Sequence, residues 1–404
     1  MTEAQLAHKD QADRLTGAAL ALACERGLDA LSARTLAAYT GGSPSAINYH
    51  FGGREQLLSQ VYRQAMIRAD VERKRALAAC LEALPSWADL PHAFAALLQA
   101  RLSRERGLAT LLQELEQEVT TEREPSLHAY ALEEIEREWA YWRDFTQRFG
   151  AAEDAADAWA ELALGLLGLL MCESDASVRS AWITGPAERL HRRIARQPVE
   201  PAVLRDTPAA AVEREAPANE TARAILDAAL TTIARKGAQH VVQREIAAMA
   251  GVSLASVTYF FRTKQDLINA TFAELCRRLR GRVEAFEQLS PEQSTPLALT
   301  FGEKENLAGL ASLNALLRAA ARDPSLAAIA REIRQLRGIG SFVMLSKRGL
   351  STDWLDAYVW AMLLSGRYRK VLLLDEAHQV EALAHTANRT LTIVFGADAV
   401  PGGR

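Results

Sequence analysis

The stretch Gly41-Gly42-Ser43-Pro44-Ser45-Ala46-Ile47-Asn48-Tyr49-His50-Phe51, continued by Gly52-Gly53-Arg54-Glu55-Gln56-Leu57-Leu58, decides how the chain is read. Gly41 suits the end of a short helix, because glycine enters the left-handed conformation at little cost. Ser43 fits as an N-cap, and Pro44 fits the first helical position, where a missing N–H is no loss. In the helix that follows, Ile47 and Phe51 are four residues apart and share one face. With that face turned to a core, Ser45, Asn48 and Tyr49 look outward. Small hydrogen-bonding side chains on a short helix suit the major groove of DNA, where bases are read by donor and acceptor pattern.

The pattern returns 210 residues later, from Gly251-Val252-Ser253 through Tyr259-Phe260-Phe261 to Lys264 and Ile268. From Arg14 to Leu58 the two copies align without a gap, and 12 of 45 positions are identical. The identities include Gly27 with Gly237, Arg34 with Arg244, Gly41 with Gly251, Ser43 with Ser253, Tyr49 with Tyr259 and Phe51 with Phe261. Turn glycines, cap serines and core positions are kept together, which marks a duplicated DNA-binding module.

Alanine, leucine, glutamate and arginine dominate the 404 residues and β-branched runs are scarce, so the expected fold is all-α. A net charge of −3 argues against a protein coated in basic residues, but DNA binding needs only a local basic face. Residues 219–282 supply one, with ten Lys/Arg against five Asp/Glu, whereas the first module is close to balanced. The start, MTEAQLAHKD, lacks the apolar core of a signal peptide. The longest apolar run, Leu162 to Cys172, is about half of what a bilayer requires, so a cytoplasmic protein with no membrane partner is expected. Cys24, Cys80, Cys172 and Cys276 are scattered, which favours buried reduced thiols over disulfides or a metal site.

Along the chain, residues 10–26 form an amphipathic helix with Leu15, Ala18, Ala19 and Leu22 on its apolar stripe. Ser32 can cap a second helix, and a fourth begins at Arg54 after Gly52-Gly53. The expected division is a helix-turn-helix domain at 1–60, a helical body at 61–196, a linker at 197–218, a second helix-turn-helix domain at 219–270 and a second body at 271–404. The linker holds Pro198, Pro201, Pro208 and Pro217, and Asn219 or Thr221 opens the second module. Glutamates crowd 114–138, as a solvated helix face or as a cation-binding or repulsive surface. Leu162 to Leu170 is apolar all round and must be buried, and Gly165 and Gly168 would let another helix approach. Glu124-Pro125-Ser126-Leu127 matches Asp323-Pro324-Ser325-Leu326 at an offset of 199, as does Asp157-Ala158 with Asp356-Ala357. The duplication therefore extends into the bodies.

This order of motifs resembles the tetracycline-repressor (TetR) family of bacterial regulators. The resemblance rests on Glu25-Arg26-Gly27, Leu36-Ala37-Ala38, Gly41-Gly42-Ser43, Tyr49-His50-Phe51 and Arg54 in the first copy. In the second it rests on Arg235-Lys236-Gly237, Ile246-Ala247-Ala248, Gly251-Val252-Ser253, Tyr259-Phe260-Phe261 and Lys264. The first copy departs from the pattern at Gly42, Pro44 and Arg54. The resemblance implies two three-helix readers, each followed by a helical-bundle body for ligand binding and dimerisation. Family members are commonly homodimers of half this length, so here both readers would belong to one monomeric pseudo-dimer, with Gly165–Leu170 and Ala361–Gly366 near its four-helix interface.

The outward residues then become candidate DNA contacts: Ser43, Ser45, Ala46, Asn48, Tyr49 and His50 in one reader, and Ser253, Ala255, Ser256, Thr258, Tyr259 and Phe260 in the other. Asn48 suits adenine, while Ala255 and Thr258 suit thymine methyls, so an operator with two unlike half-sites is expected. By the resemblance, Tyr49 and Tyr259 touch phosphate or a base edge, Arg54 and Lys264 hold phosphates, and Arg34 and Arg244 add phosphate contacts. The resemblance also implies a repressor released by a small-molecule effector, often apolar or aromatic. Trp139, Trp142, Trp159 and Trp182, with Phe342, Trp354 and Trp360, are candidates to line its pocket. A DNA-binding accessory protein without a ligand is the alternative. An enzyme is disfavoured, since no G-x-G-x-x-G, Walker, H-E-x-x-H or Ser-His-Asp pattern occurs, and no cofactor is expected.

Overall fold

The computed structural model describes residues 3–86, 88–120, 127–202, 219–288, 290, 304–371 and 374–396. Among these there is no strand, and the all-α expectation holds. The first half runs α1 (Glu3–Arg26), α2 (Ala33–Thr40), α3 (Pro44–Phe51), α4 (Arg54–Ala83), α5 (Leu90–Arg104), α6 (Arg106–Thr120), α7 (His128–Gln147), α8 (Glu153–Leu170) and α9 (Ala176–Ile194). The second runs α10 (Glu220–Lys236), α11 (Gln243–Ala250), α12 (Leu254–Phe260), α13 (Lys264–Gln288), α14 (Lys304–Arg322), α15 (Ala327–Leu336), α16 (Ile339–Lys347), α17 (Trp354–Val371) and α18 (Glu376–Phe395).

The 199-residue offset carries α6, α8 and α9 onto α14, α17 and α18 within two or three residues at each end. It carries α7 onto α15 and α16 together. The break between those two falls at Gly338, whose φ is +90° and whose Cβ, if present, would lie 2.9 Å from Tyr358 Cα. The close backbone of α17 thus requires glycine there and interrupts the helix.

The chain folds as two compact units, Met1–Ala83 with Ala100–Glu138, and Leu84–Gln99 with Trp139–Arg404. The expected boundaries at 60 and 270 fall inside the continuous helices α4 and α13. Of the expected linker, residues 203–218 lie outside the described residues, as do Glu124, Pro125 and Ser126.

In the first unit, α4 carries a buried charge network where a solvated acidic face was one expectation. Arg73 Nη1 donates to Glu134 Oε1 at 2.8 Å and Glu138 Oε2 at 2.9 Å, and Arg101 Nη2 donates to Glu138 Oε2 at 2.6 Å. The i, i+4 spacing puts Glu134 and Glu138 on the inner face of α7, while Glu133 and Glu136 stay in solvent. Burial pushes the Glu134 carboxyl up to about 7 against the pull of Arg73.

In the second unit the apolar helix α8 crosses α17 closely. A Cβ on Gly165 would lie 2.1 Å from Met362 O, and one on Gly366 would lie 1.9 Å from Glu161 O. At the 199 offset Met362 is the counterpart of residue 163 and Gly366 of residue 167, so both contacts centre on position 164. That is the signature of a two-fold crossing between equivalent surfaces. The flanking ion pairs recur on both sides of the crossing, with the aspartates 199 residues apart and the arginines 200. Arg189 on α9 reaches Asp356 at 3.2 Å, and Arg389 on α18 reaches Asp157, the counterpart of Asp356, at 3.3 Å. Arg193 adds to Asp356, and Arg389 also bonds Glu161.

None of the four cysteines is in a disulfide. Cys172 and Cys276 are buried as expected, whereas Cys24 and Cys80 are only half-buried. No helix among the described residues is long and apolar enough to cross a membrane.

Candidate nucleic-acid interface

Each reader is assembled by caps and turns readable in its residues. In the first, Ser32 accepts from Thr35 N at 3.1 Å and starts α2. Gly41, at φ +70°, ends it, and Ser43 accepts from Ala46 N at 3.2 Å to start α3 with Pro44 at its first position. In the second, Asn219 caps α10 by accepting from Thr221 N, Gly251 turns at φ +67°, and Ser253 accepts from Ser256 N at 3.0 Å. The two short recognition helices, α3 and α12, therefore begin alike. They end differently: Gly52 closes α3 in the left-handed region, whereas Phe261 leaves α12 extended. A reciprocal pair follows α12, in which Asp266 accepts from Thr263 N and Thr263 accepts from Asp266 N, a capping box that starts α13.

Ile47 and Phe51 are buried under α3, and Val257 and Phe261 under α12. That orientation leaves Tyr49 and Tyr259 each 81% exposed. Ser43, Ser45, Ala46 and Asn48 share the exposed side of α3, and Ser253, Ala255 and Thr258 that of α12. His50, Ser256 and Phe260 are half-buried. The rings of His50 and Phe260 meet the adjacent tyrosines edge to face, with centroids 6.0 and 5.1 Å apart, and so brace them. The Thr258 hydroxyl donates back to Leu254 O and Ala255 O, which leaves its methyl group and lone pairs to a ligand.

Arg34 and Arg244 are exposed on α2 and α11. Arg54 and Lys264 have a role that spacing did not reveal. Arg54 Nη1 donates to Leu31 O at 2.8 Å, and Lys264 Nζ donates to Gln239 O at 2.6 Å. Each cation ties the start of α4 or α13 to the turn that precedes the second helix of its reader. Two exposed residues also escaped sequence reasoning: Leu254 opens α12 with an apolar side chain in solvent, and Arg262 follows that helix. Leu254 stands where the first copy has Pro44, and its position after the cap serine was the available signal.

The aromatic residues expected around an effector lie in several settings. Trp142 and Trp159 are buried against Phe94, with centroids at 5.2 and 5.0 Å, and Trp360 is buried among Met344, Leu345 and Leu391. Trp139 is buried, donates to Asp157 Oδ1 at 3.0 Å, and lies under Arg367 and Lys370. Phe342 is exposed, and Trp354 is half-buried beside Trp182 and Tyr358. A cavity of about 700 Å³ opens elsewhere, between α10, α13 and α14, lined by Leu230, Arg235, Leu275, Arg278 and Ser312 among others. None of the seven aromatic candidates lines it.

The model of the family described as bacterial regulatory proteins, tetR family, matches residues 15–61 and again residues 225–271. The HTH-type transcriptional regulator BetI of Agrobacterium fabrum is also similar, at 43% identity over 58 residues. That match covers 14% of this chain and 28% of the length of the relative.

Proposed function

This chain belongs to the tetR family of bacterial regulatory proteins, whose DNA-binding module it carries twice, and from that premise we propose that it is a DNA-binding transcriptional regulator with both readers in one polypeptide. The observation that carries the proposal is the pair of recognition helices, each presenting a tyrosine 81% exposed above a buried anchor. Their other outward residues differ, with Ser45, Ala46 and Asn48 in one and Ala255, Ser256 and Thr258 in the other. The operator accordingly has two unlike half-sites. Arg34 and Arg244 contact phosphates, and Arg54 and Lys264 can extend their remaining N–H groups to the same backbone.

The halves act as a monomeric pseudo-dimer, a reading supported by the two-fold crossing of α8 and α17 and by the reciprocal Arg189–Asp356 and Arg389–Asp157 pairs. A small effector, binding in a body, releases the protein from DNA as a repressor. The coupling is reciprocal, so DNA weakens effector binding by the same factor. Such a protein works in the cytoplasm, beside the DNA it reads. The filled aromatic core around Trp142 and Trp159 favours a second reading, an accessory DNA-binding protein without an effector.

Selection of duplexes from a random library by the purified chain tests the proposal. Enrichment of a site with two unlike halves is expected, one half losing its preference in Tyr49→Ala and the other in Tyr259→Ala. A perfect palindrome would mean that whole chains pair and one reader is idle. No enrichment by the ligand-free chain would sink the regulator reading.

A further inference from the structure

Buried charge is handled differently in the two halves. In the first body Arg73 and Arg101 each meet carboxylates, so the network around Glu138 is matched. At the 199 offset the counterpart of Glu138 is Arg337, which inverts the charge. The Arg337 guanidinium donates to Ser365 Oγ, whose own proton goes to Ala361 O. Burial holds the Arg337 guanidinium down at about 10, opposed by nearby Tyr358.

Around Arg337 the donors outnumber the acceptors. Tyr358 is wholly buried and its hydroxyl has no protein partner. The indole N–H of Trp354 and the Nε of Arg334 are also buried without one. The carboxylate beside them, Glu173, is occupied by Arg334 Nη1 at 2.7 Å and by Asp175 N at 2.9 Å. Buried donors in native proteins find acceptors, so these three, beside the Arg337 cation, call for one from outside the chain.

The walls are aromatic. Trp354 and Tyr358 stack with centroids 5.2 Å apart, and Trp182 stands across both at 5.7 and 5.1 Å. Arg334 lies over the Trp182 ring at 5.6 Å. Trp182 and Trp354 are half-buried, so solvent reaches this corner. We propose that Trp182, Trp354 and Tyr358 with Arg334 and Arg337 form a binding site for a small aromatic carboxylate. A carboxylate brings two oxygens and about four lone-pair sites, matching the donors, and its ring stacks in the aromatic corner. The site deepens the effector reading above and rests on it for its regulatory meaning. Trp182 and Glu173 come from the first half and the remaining residues from the second, so a ligand here bridges α9 and α17.

Calorimetric titration of the full chain with benzoate, acetate, benzyl alcohol and benzylamine tests the site. Benzoate is expected to bind at one site per chain, acetate about tenfold more weakly, and the alcohol and amine not at all. Arg337→Gln and Tyr358→Phe should each weaken benzoate by about tenfold. Tyr358→Phe removes a single hydroxyl, so it keeps the comparison open if Arg337→Gln fails to fold. Absence of benzoate binding, equal binding of benzyl alcohol, or undiminished affinity in both variants would overturn the site. Operator selection with the ligand-free chain is independent of this outcome, so loss of the site and loss of the regulator reading are separable.

Discussion

Glu161 is wholly buried on α8, bonded through Oε1 to Arg389 while Oε2 has no protein partner. Burial pushes its carboxyl up to about 7; Arg389 and Arg367 pull it down, and Asp157 raises it further. The folded form thus holds a proton that the unfolded chain, with the ordinary value of 4.5, has released. Between those values the folded state binds more protons, so stability falls as pH rises through this window and levels above it. Glu161→Gln should abolish that contribution, so the difference in urea midpoint between wild type and variant will shift from pH 5 to pH 8. A difference independent of pH would refute the assignment. Arg54 offers a second test at this scale. Its bond to Leu31 O implies that Arg54→Gln destabilises the DNA-free protein by about 1 kcal/mol. A side chain that serves phosphate alone would leave thermal melting of the free protein unchanged. The outward set on α3 and α12 was legible because Ile47, Phe51 and their counterparts define the inward face by spacing alone. The clasps of Arg54 and Lys264 were not, because their acceptors are backbone carbonyls 23 and 25 residues away.

Helix α8 was legible as buried from its unbroken apolar run, but its partner and register were not. Both depend on where the backbone of α17 comes to rest, and no local pattern encodes that. The crossing makes two glycines structural. Gly366→Val would drive a branched side chain into Glu161 O, and we expect a loss of about 3 kcal/mol, read by thermal or urea unfolding. Gly168→Ala, on α8 with nothing within 4 Å of its added carbon, should be neutral or stabilising by about 0.5–1 kcal/mol. Equal effects in the two variants would contradict the register described. The break between α15 and α16 was hidden for a similar reason: Gly338 is forced by the approach of Tyr358, which lies 20 residues further on. The glutamates of 114–138 show the converse limit. Composition suggested a solvated face, yet Glu134 and Glu138 turn inward because Arg73 and Arg101 are there to receive them.

At the scale of the whole molecule, the duplication was legible because an ungapped repeat keeps cap, turn and core residues in step. The compact units were not, since α8 and α9 leave the first half to join α17 and α18 of the second. Light scattering is expected to return the single-chain mass of 44.2 kDa at micromolar concentration, and an obligate mass of twice that would argue against the pseudo-dimer. The crossing of α8 with α17 has a further consequence for dosage. Two separate subunits must meet before they can grip DNA, so their occupancy falls with the square of concentration once they dissociate. Tethered partners see each other at a fixed effective concentration, about millimolar for short flexible linkers. Operator occupancy in this protein should therefore follow the first power of chain concentration down to the lowest copy numbers. A cell holding a few such molecules would keep every one of them competent.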